Sequence, residues 1–136
     1  MREILFRGKR VDNGEWVYGS FIPDLCELLY GDKLDGFIKP FGKIREERLM
    51  VEVDRKTVGQ YTGLTDKNGT RIFEGDVIRD EDGDVMVVKW LTESAAFVLE
   101  PKPYASIYFY GTLSSRTEVI GNVFDNPELL EVIVNE

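Results

Sequence analysis

Two Asn-Gly dipeptides, at residues 13–14 and 68–69, each lie between short runs of alternating apolar and polar residues. Asn-Gly accepts the positive φ angles of a tight turn, so both positions predict antiparallel hairpins. Residues 4–11 and 15–22 are the predicted arms of the first hairpin. Thirteen glycines break the rest of the chain into similarly short segments, which favour strands over long helices. The pattern therefore predicts a mainly β fold.

The second half of the chain shows the same alternation between turn signals. Its predicted strands are residues 76–79, 85–91, 95–100, 106–113 and 118–124. Asn126, followed by Pro127 and Glu128, is a capping residue before a short terminal helix. Strands of this length and spacing favour a small barrel or sandwich, and a Gly-Asp pair before an apolar strand suggests the SH3-like type. We predict an N-terminal β-hairpin region at 1–56 and a C-terminal SH3-like β roll at 57–136.

The residues that most enzymes and metal sites depend on are scarce. The chain has no histidine and one cysteine, which excludes Ser-His-Asp and Cys-His catalysis and zinc sites built from those ligands. We therefore predict no enzymatic activity, no cofactor and no metal. No run approaches the ~20 apolar residues that cross a bilayer, and the charged start does not resemble a signal peptide. The prediction is a cytoplasmic protein without a membrane partner.

The charge is unevenly distributed. The chain has a net charge of −8, and residues 58–136 carry all of it, with 6 basic and 14 acidic side chains. A negative surface repels a phosphate backbone, so nucleic acid is disfavoured as a partner, although a local basic patch within residues 1–57 stays open. Solubility explains the charge most simply.

Two acidic segments have simple explanations as turns. The run Asp80-Glu81-Asp82-Gly83-Asp84 lacks the EF-hand spacing for calcium, so a solvated hairpin tip is the better interpretation. Asp66 and Lys67 precede the second Asn-Gly pair and are expected to be surface turn residues.

The segment from Tyr104 to Tyr110 carries an unusual density of tyrosine. In a strand, Tyr104, Tyr108 and Tyr110 share one face while Ile107 and Phe109 share the other. Tyrosine is enriched at interfaces, which makes the three tyrosines a candidate partner-binding face. The alternative is that they are buried against residues 1–56.

Several motifs resemble the YopX family. The longest are VGQYTGLTDKNG at 58–69, IFEGDVI at 72–78 and EVIGNVFDNPELL at 118–130. The opening, FRGK at 6–9 with GEWVYG at 14–19, is similar to the N-terminal hairpin of that family. The resemblance spans nearly the whole chain except residues 23–48.

The resemblance implies origin more than activity. YopX proteins are small proteins of phages and prophages in bacteria, with a C-terminal region that looks like an SH3-type β roll. The family offers no catalytic assignment for positions of this sequence. The predicted function is a non-enzymatic accessory protein that binds a host or phage protein in the bacterial cytoplasm. The alternative is a small barrel that binds single-stranded nucleic acid through surface aromatics. A second copy of the chain is a further candidate partner.

The two interpretations of the tyrosine face predict different results for Tyr108→Ala and Tyr110→Ala. If the face binds a partner, the urea midpoint stays and association is lost, because interface energy concentrates in aromatic anchors. If the tyrosines pack internally, the free energy of unfolding falls by about 3 kcal/mol or more. Urea unfolding and size-exclusion chromatography separate the two, and a lowered midpoint with unchanged association contradicts the interface.

Overall fold

The computed structural model describes residues 3–22, 27–30, 50–100, 107–109 and 111–134. The chain divides into two compact units, residues 1–60 and 61–136. The predicted domain bounds of 1–56 and 57–136 stay a prediction. The fold is mainly β, as predicted, and every pairing between the described strands is antiparallel.

The described residues of the first unit form four strands and the start of a fifth. They are β1 (Phe6–Lys9), β2 (Trp16–Ile22), β3 (Glu27–Tyr30), β4 (Met50–Glu52) and β5 (Gly59–Thr65). Strand β1 pairs with β2, β2 with β3, and β3 with β4. The first residues of β5 pair with β1. An isolated bridge between Arg10 and Val53 joins the end of β4 to the end of β1. The hydrophobic core of this unit contains Val17 and Val53, and Phe6 and Phe21 pack against them.

Apolar and polar side chains alternate at the end of β4. Val51 and Val53 pack into its core, whereas Glu52 between them is exposed. Gly14 has φ +73° at the predicted hairpin turn, which the Asn13 side chain supports by accepting from the Glu15 N–H at 2.9 Å. Local turn chemistry and strand periodicity therefore specify this hairpin.

The described residues of the second unit form the remaining strands, two short α-helices and a 3-10 turn at Thr92–Ser94. They are β6 (Arg71–Phe73), β7 (Asp76–Arg79), β8 (Val85–Leu91), β9 (Ala96–Glu100), β10 (Ile107–Tyr108), α1 (Gly111–Ser114), β11 (Glu118–Asn122) and α2 (Glu128–Val134). Strand β6 pairs with the later residues of β5. The other five strands form one sheet in the order β10-β9-β8-β7-β11. The predicted terminal helix is confirmed, while the name SH3-like roll stays a prediction.

Strand β8 is covered on both faces. Met86 and Val88 point into one core, with Ile78 and Leu99, while Val85 and Val87 point into another with Val77. Leu129 and Leu130 of α2 pack against this second core. A sheet buried on both sides requires an unbroken apolar run instead of alternation, and residues 85–88 form such a run.

The strand predicted at 106–113 is wrong in its second half. Strand β10 ends at Tyr108, and residues 111–114 form α1 instead. The hydroxyl of Ser114 donates to the Gly111 carbonyl at 2.9 Å, and Thr117 caps the turn by donating to the Ser114 carbonyl. These local bonds satisfy backbone groups that a sheet would otherwise pair.

Among the described residues, no helix is long and apolar enough to cross a membrane.

Gly69→Val tests the second Asn-Gly turn. Gly69 has φ +83°, as that turn requires, and an added Cβ would meet no atom within 4 Å. The cost is therefore backbone strain alone, which we expect to lower the free energy of unfolding by about 1–3 kcal/mol in urea. The exposed neighbour Lys67→Ala is the control, with an expected change below about 0.5 kcal/mol. Equal midpoints for the glycine variant and the native chain would contradict the turn assignment.

Candidate functional site

The predicted tyrosine face falls largely outside the described residues. Tyr104 and Tyr110 belong to the parts of the chain without a description, and only the backbone of Tyr108 is described. That backbone pairs in β10 with Val98 of β9, which is buried. Phe109, predicted on the opposite face, is buried in the core that contains Leu99. Binding by the three tyrosines stays a prediction.

The signature motif at 58–69 contains Asp66, whose carboxylate lies in the turn between β5 and β6. One oxygen, Oδ1, accepts the N–H groups of Asn68 and Thr70 at 2.8 and 2.9 Å. The other, Oδ2, accepts the Val119 N–H of β11 at 2.9 Å. The prediction of Asp66 as a surface turn residue is wrong, because the residue is only 5% exposed. Its side chain joins two segments that are distant in sequence.

The electrostatics of this turn favour an ionised Asp66. Burial by itself would raise the pKa of the carboxyl group, but the N–H donors of Val119, Thr70 and Asn68 together outweigh it. The pKa of Asp66 is therefore lower than its usual value. A carboxylate stabilised in this way holds no proton to donate and is a weak base, so it suits a structural role.

Asp76, in the second part of the signature, is also buried and bonded to backbone. Its Oδ2 accepts the Phe73 N–H at 2.7 Å across the turn between β6 and β7. Gly75 within that turn has φ +94°, and its N–H donates to the Val88 carbonyl of β8 at 2.8 Å. The Glu-Gly-Asp sequence thus fixes the start of β7 against β8.

The C-terminal motif has the same character. The Asn122 side chain accepts the N–H groups of Phe124 and Asp125, and Asn126 Oδ1 accepts the Asn122 N–H. A Cβ on Gly121 would lie 2.5 Å from Asn126 Oδ1, so a side chain at 121 would displace this loop. The polar motif residues organise the turn that leads into α2.

The acidic run at 80–84 forms a hairpin tip between β7 and β8, as predicted. Asp80 Oδ1 accepts the N–H groups of Asp82 and Asp84, both at 2.9 Å. One carboxylate oxygen from each of these three residues lies within 4.8 Å of the others. The bonds to backbone explain the position of Asp80 without a ligand, and the predicted absence of a metal stays a prediction.

One face of the β1–β2 pair combines basic and aromatic side chains. Arg7 lies opposite Tyr18 and Lys9 lies opposite Trp16, and directly opposed residues share a face. The Trp16 ring centroid is 4.6 Å from the Arg7 guanidinium carbon and 5.5 Å from Lys9 Nζ, within cation–π range. Tyr18 is exposed, whereas Arg7 is buried. We call these four residues the basic aromatic face.

An aromatic pair, Trp90 and the half-buried Phe97, lies beside the turn of the β8–β9 hairpin. Trp90 and Phe97 are directly paired across the two strands. Their ring centroids are 5.0 Å apart, and the ring planes form an angle of 71°, which is an edge-to-face arrangement. Trp90 is 43% exposed, which is high for the largest apolar side chain. We call this pair the Trp90 surface. Its exposure could not be predicted, because a Trp in an apolar strand resembles a core residue.

The fold and its motifs define a small β protein whose characteristic polar residues hold turns in place. The chain matches the YopX protein family over residues 5–131 and belongs to that family, as the resemblance of its motifs predicted. It is similar to protein EF1440 from Enterococcus faecalis, known from a crystal structure, with a TM-score of 0.58 and 20% identity. The alignment covers 96% of this chain and 99% of that one, and it shows the fold alone. No curated protein matches the chain.

Asp66→Asn tests the role of the buried carboxylate. The variant places an amide N–H where an oxygen now accepts a backbone N–H, so we expect unfolding in urea near neutral pH to cost about 2 kcal/mol less. Since the pKa of Asp66 is lowered in the folded state, its stabilisation is present above the unfolded pKa and disappears as pH falls through the folded value. The difference between native chain and variant should therefore shrink below about pH 4.

The exposed acid Asp82, altered to Asn, is the control for Asp66→Asn. We expect it to change stability by less than about 0.5 kcal/mol at any of these pH values. A destabilisation by Asp66→Asn that is constant from neutral to acid pH would contradict an ionised, backbone-bonded carboxylate.

Proposed function

We propose that this chain is a phage or prophage accessory protein that acts as a non-enzymatic protein-binding module in the cytoplasm of its bacterial host. The observation that carries the proposal is the use of the signature carboxylates. Asp66 and Asp76 each accept backbone N–H groups in buried turns, so the motif that marks the family serves the fold. If the motif residues serve the fold in this way, the function depends on the exposed surface.

The absence of histidine and the state of these carboxylates argue against catalysis. General acid–base work needs a group with a pKa near the working pH that reaches a substrate. The pKa of Asp66 is lowered, away from that range, and the carboxylate has three backbone donors. An enzyme would have to use other carboxylates, lysines or tyrosines.

Exposed aromatic side chains support binding. Tyr18, Trp90 and Phe124 are each more than a third exposed on a folded β framework. Large rings with a low cost of immobilisation are the usual anchors of protein interfaces. The SH3-like form proposed for residues 57–136 fits this role, because the β7–β8–β9 meander presents a continuous antiparallel surface. The candidate face formed by Tyr104, Tyr108 and Tyr110 would add to it.

Affinity capture followed by titration tests the proposal. The tagged chain is immobilised and exposed to lysates of bacteria with and without the phage, each treated with nuclease. We expect a protein that is retained after nuclease treatment and that then binds in purified form with a saturable isotherm. The free chain should show no turnover of nucleotide, ester or peptide substrates. Loss of all retained protein on nuclease treatment, or a saturable rate with any substrate, would overturn the proposal.

The basic aromatic face favours single-stranded nucleic acid as the second candidate. Bases stack on aromatic rings while Lys and Arg neutralise phosphates, and this face brings Lys9, Trp16 and Tyr18 together. Filter binding of a thymidine oligonucleotide at low salt tests it. An affinity that falls steeply with salt and is lost in Tyr18→Ala would support this candidate. No retention at low salt would remove it.

A further inference from the structure

The Trp90 surface extends a buried face of the second unit into solvent. Trp90 lies on the same face of β8 as Met86 and Val88, which are both buried in one core. Phe97, half-buried beside Leu99 on β9, contacts the indole edge-on. Trp90 itself ends the row 43% exposed. The contact with Phe97 restrains the indole before any partner arrives, which lowers the entropic cost of binding.

An exposed acid follows the Trp90 surface, in a unit with a net negative charge. Glu93 lies in the turn after β8, which ends one residue beyond Trp90. Lys89, the nearest cation along the chain, pairs with Glu100 at 2.9 Å. Arg79 and Arg116 of the same unit pair with Glu118 and Glu81. These three cations are thus paired with acids, and residues 58–136 have an excess of eight negative charges.

We propose that the Trp90 surface docks a basic segment of a partner protein, with an Arg or Lys side chain lying over the indole ring. This rests on the proposed protein-binding function and names the chemistry of the partner. Trp is the best cation–π acceptor among side chains, and Arg is enriched in the centres of interfaces. The surrounding negative charge attracts a basic segment and repels the phosphates of a nucleic acid.

Intrinsic fluorescence measures binding at this surface directly. The chain has two tryptophans, so Trp16→Phe leaves Trp90 as the single reporter. The probe is a short synthetic peptide of alternating Arg and Leu. A peptide with Glu in place of every Arg and a single-stranded thymidine oligonucleotide are the comparison ligands. We expect saturable change of the Trp90 emission by the Arg peptide and none by the other two.

Variants separate specific docking from general attraction to an acidic protein. In fluorescence anisotropy with a labelled Arg peptide, Trp90→Ala should weaken binding by about tenfold or more. Val11→Ala, which truncates another exposed apolar side chain that belongs to no candidate binding surface, should stay within about twofold of the native chain. Urea unfolding of each variant establishes that it is folded.

Glu93→Gln provides a second variant whose fold is not at risk, because Glu93 is exposed in a turn. It should weaken the Arg peptide by about two- to fivefold at low salt and less at high salt. Equal affinity of Trp90→Ala and the native chain, equal binding of the Glu peptide, or tighter binding of the oligonucleotide would overturn the proposal. If Trp90→Ala still captured the lysate partner with native affinity, the docking proposal would fail while the protein-binding function would stand.

Discussion

The carboxylate of Asp66 is the interaction on which the second unit most depends. Its three backbone bonds close the turn between β5 and β6 and hold β11 beside that turn. A backbone bond from Lys67 N–H to the Thr117 carbonyl, at 3.0 Å, reinforces the same junction. Hydrogen bonds to a buried ionised acceptor are stronger than neutral ones, so one side chain fixes segments more than fifty residues apart. The β11 strand can then pair with β7 in a defined register.

The order of the strands in this sheet explains how the second unit forms two apolar layers. With β7 and β8 in the centre of the sheet, alternate residues of β8 feed opposite faces, and α2 covers one of them. Most of the apolar side chains of the hairpin are used in this way. Trp90 lies on the other face, in line with Met86 and Val88, and its 43% exposure shows that the packing of that face ends before β8 does.

Features that depend on neighbouring residues could be predicted from the sequence. The turns at Gly14 and Gly69 require positive φ, and strands β7 and β8 have the predicted bounds. The partner of Asp66 could not be predicted, because Val119 is remote in sequence and its contribution is a backbone N–H that carries no residue signature. The strand predicted through Leu113 failed because Ser114 and Thr117 satisfy local carbonyls, which strand periodicity does not reveal. The tyrosine face lies mostly outside the described residues and stays a prediction.

The family signature and the candidate binding residues are largely different sets. The motifs at 58–69, 72–78 and 118–130 contain Asp66, Asp76 and Asn122, whose side chains bond to backbone. Trp90 and Phe97 belong to none of these motifs. Turn chemistry tolerates few substitutes, because a replacement must reproduce both geometry and acceptors. An exposed ring at the end of a hairpin is subject to no such requirement from the fold, so its identity can change without loss of these turns. The same scaffold can therefore carry different exposed surfaces.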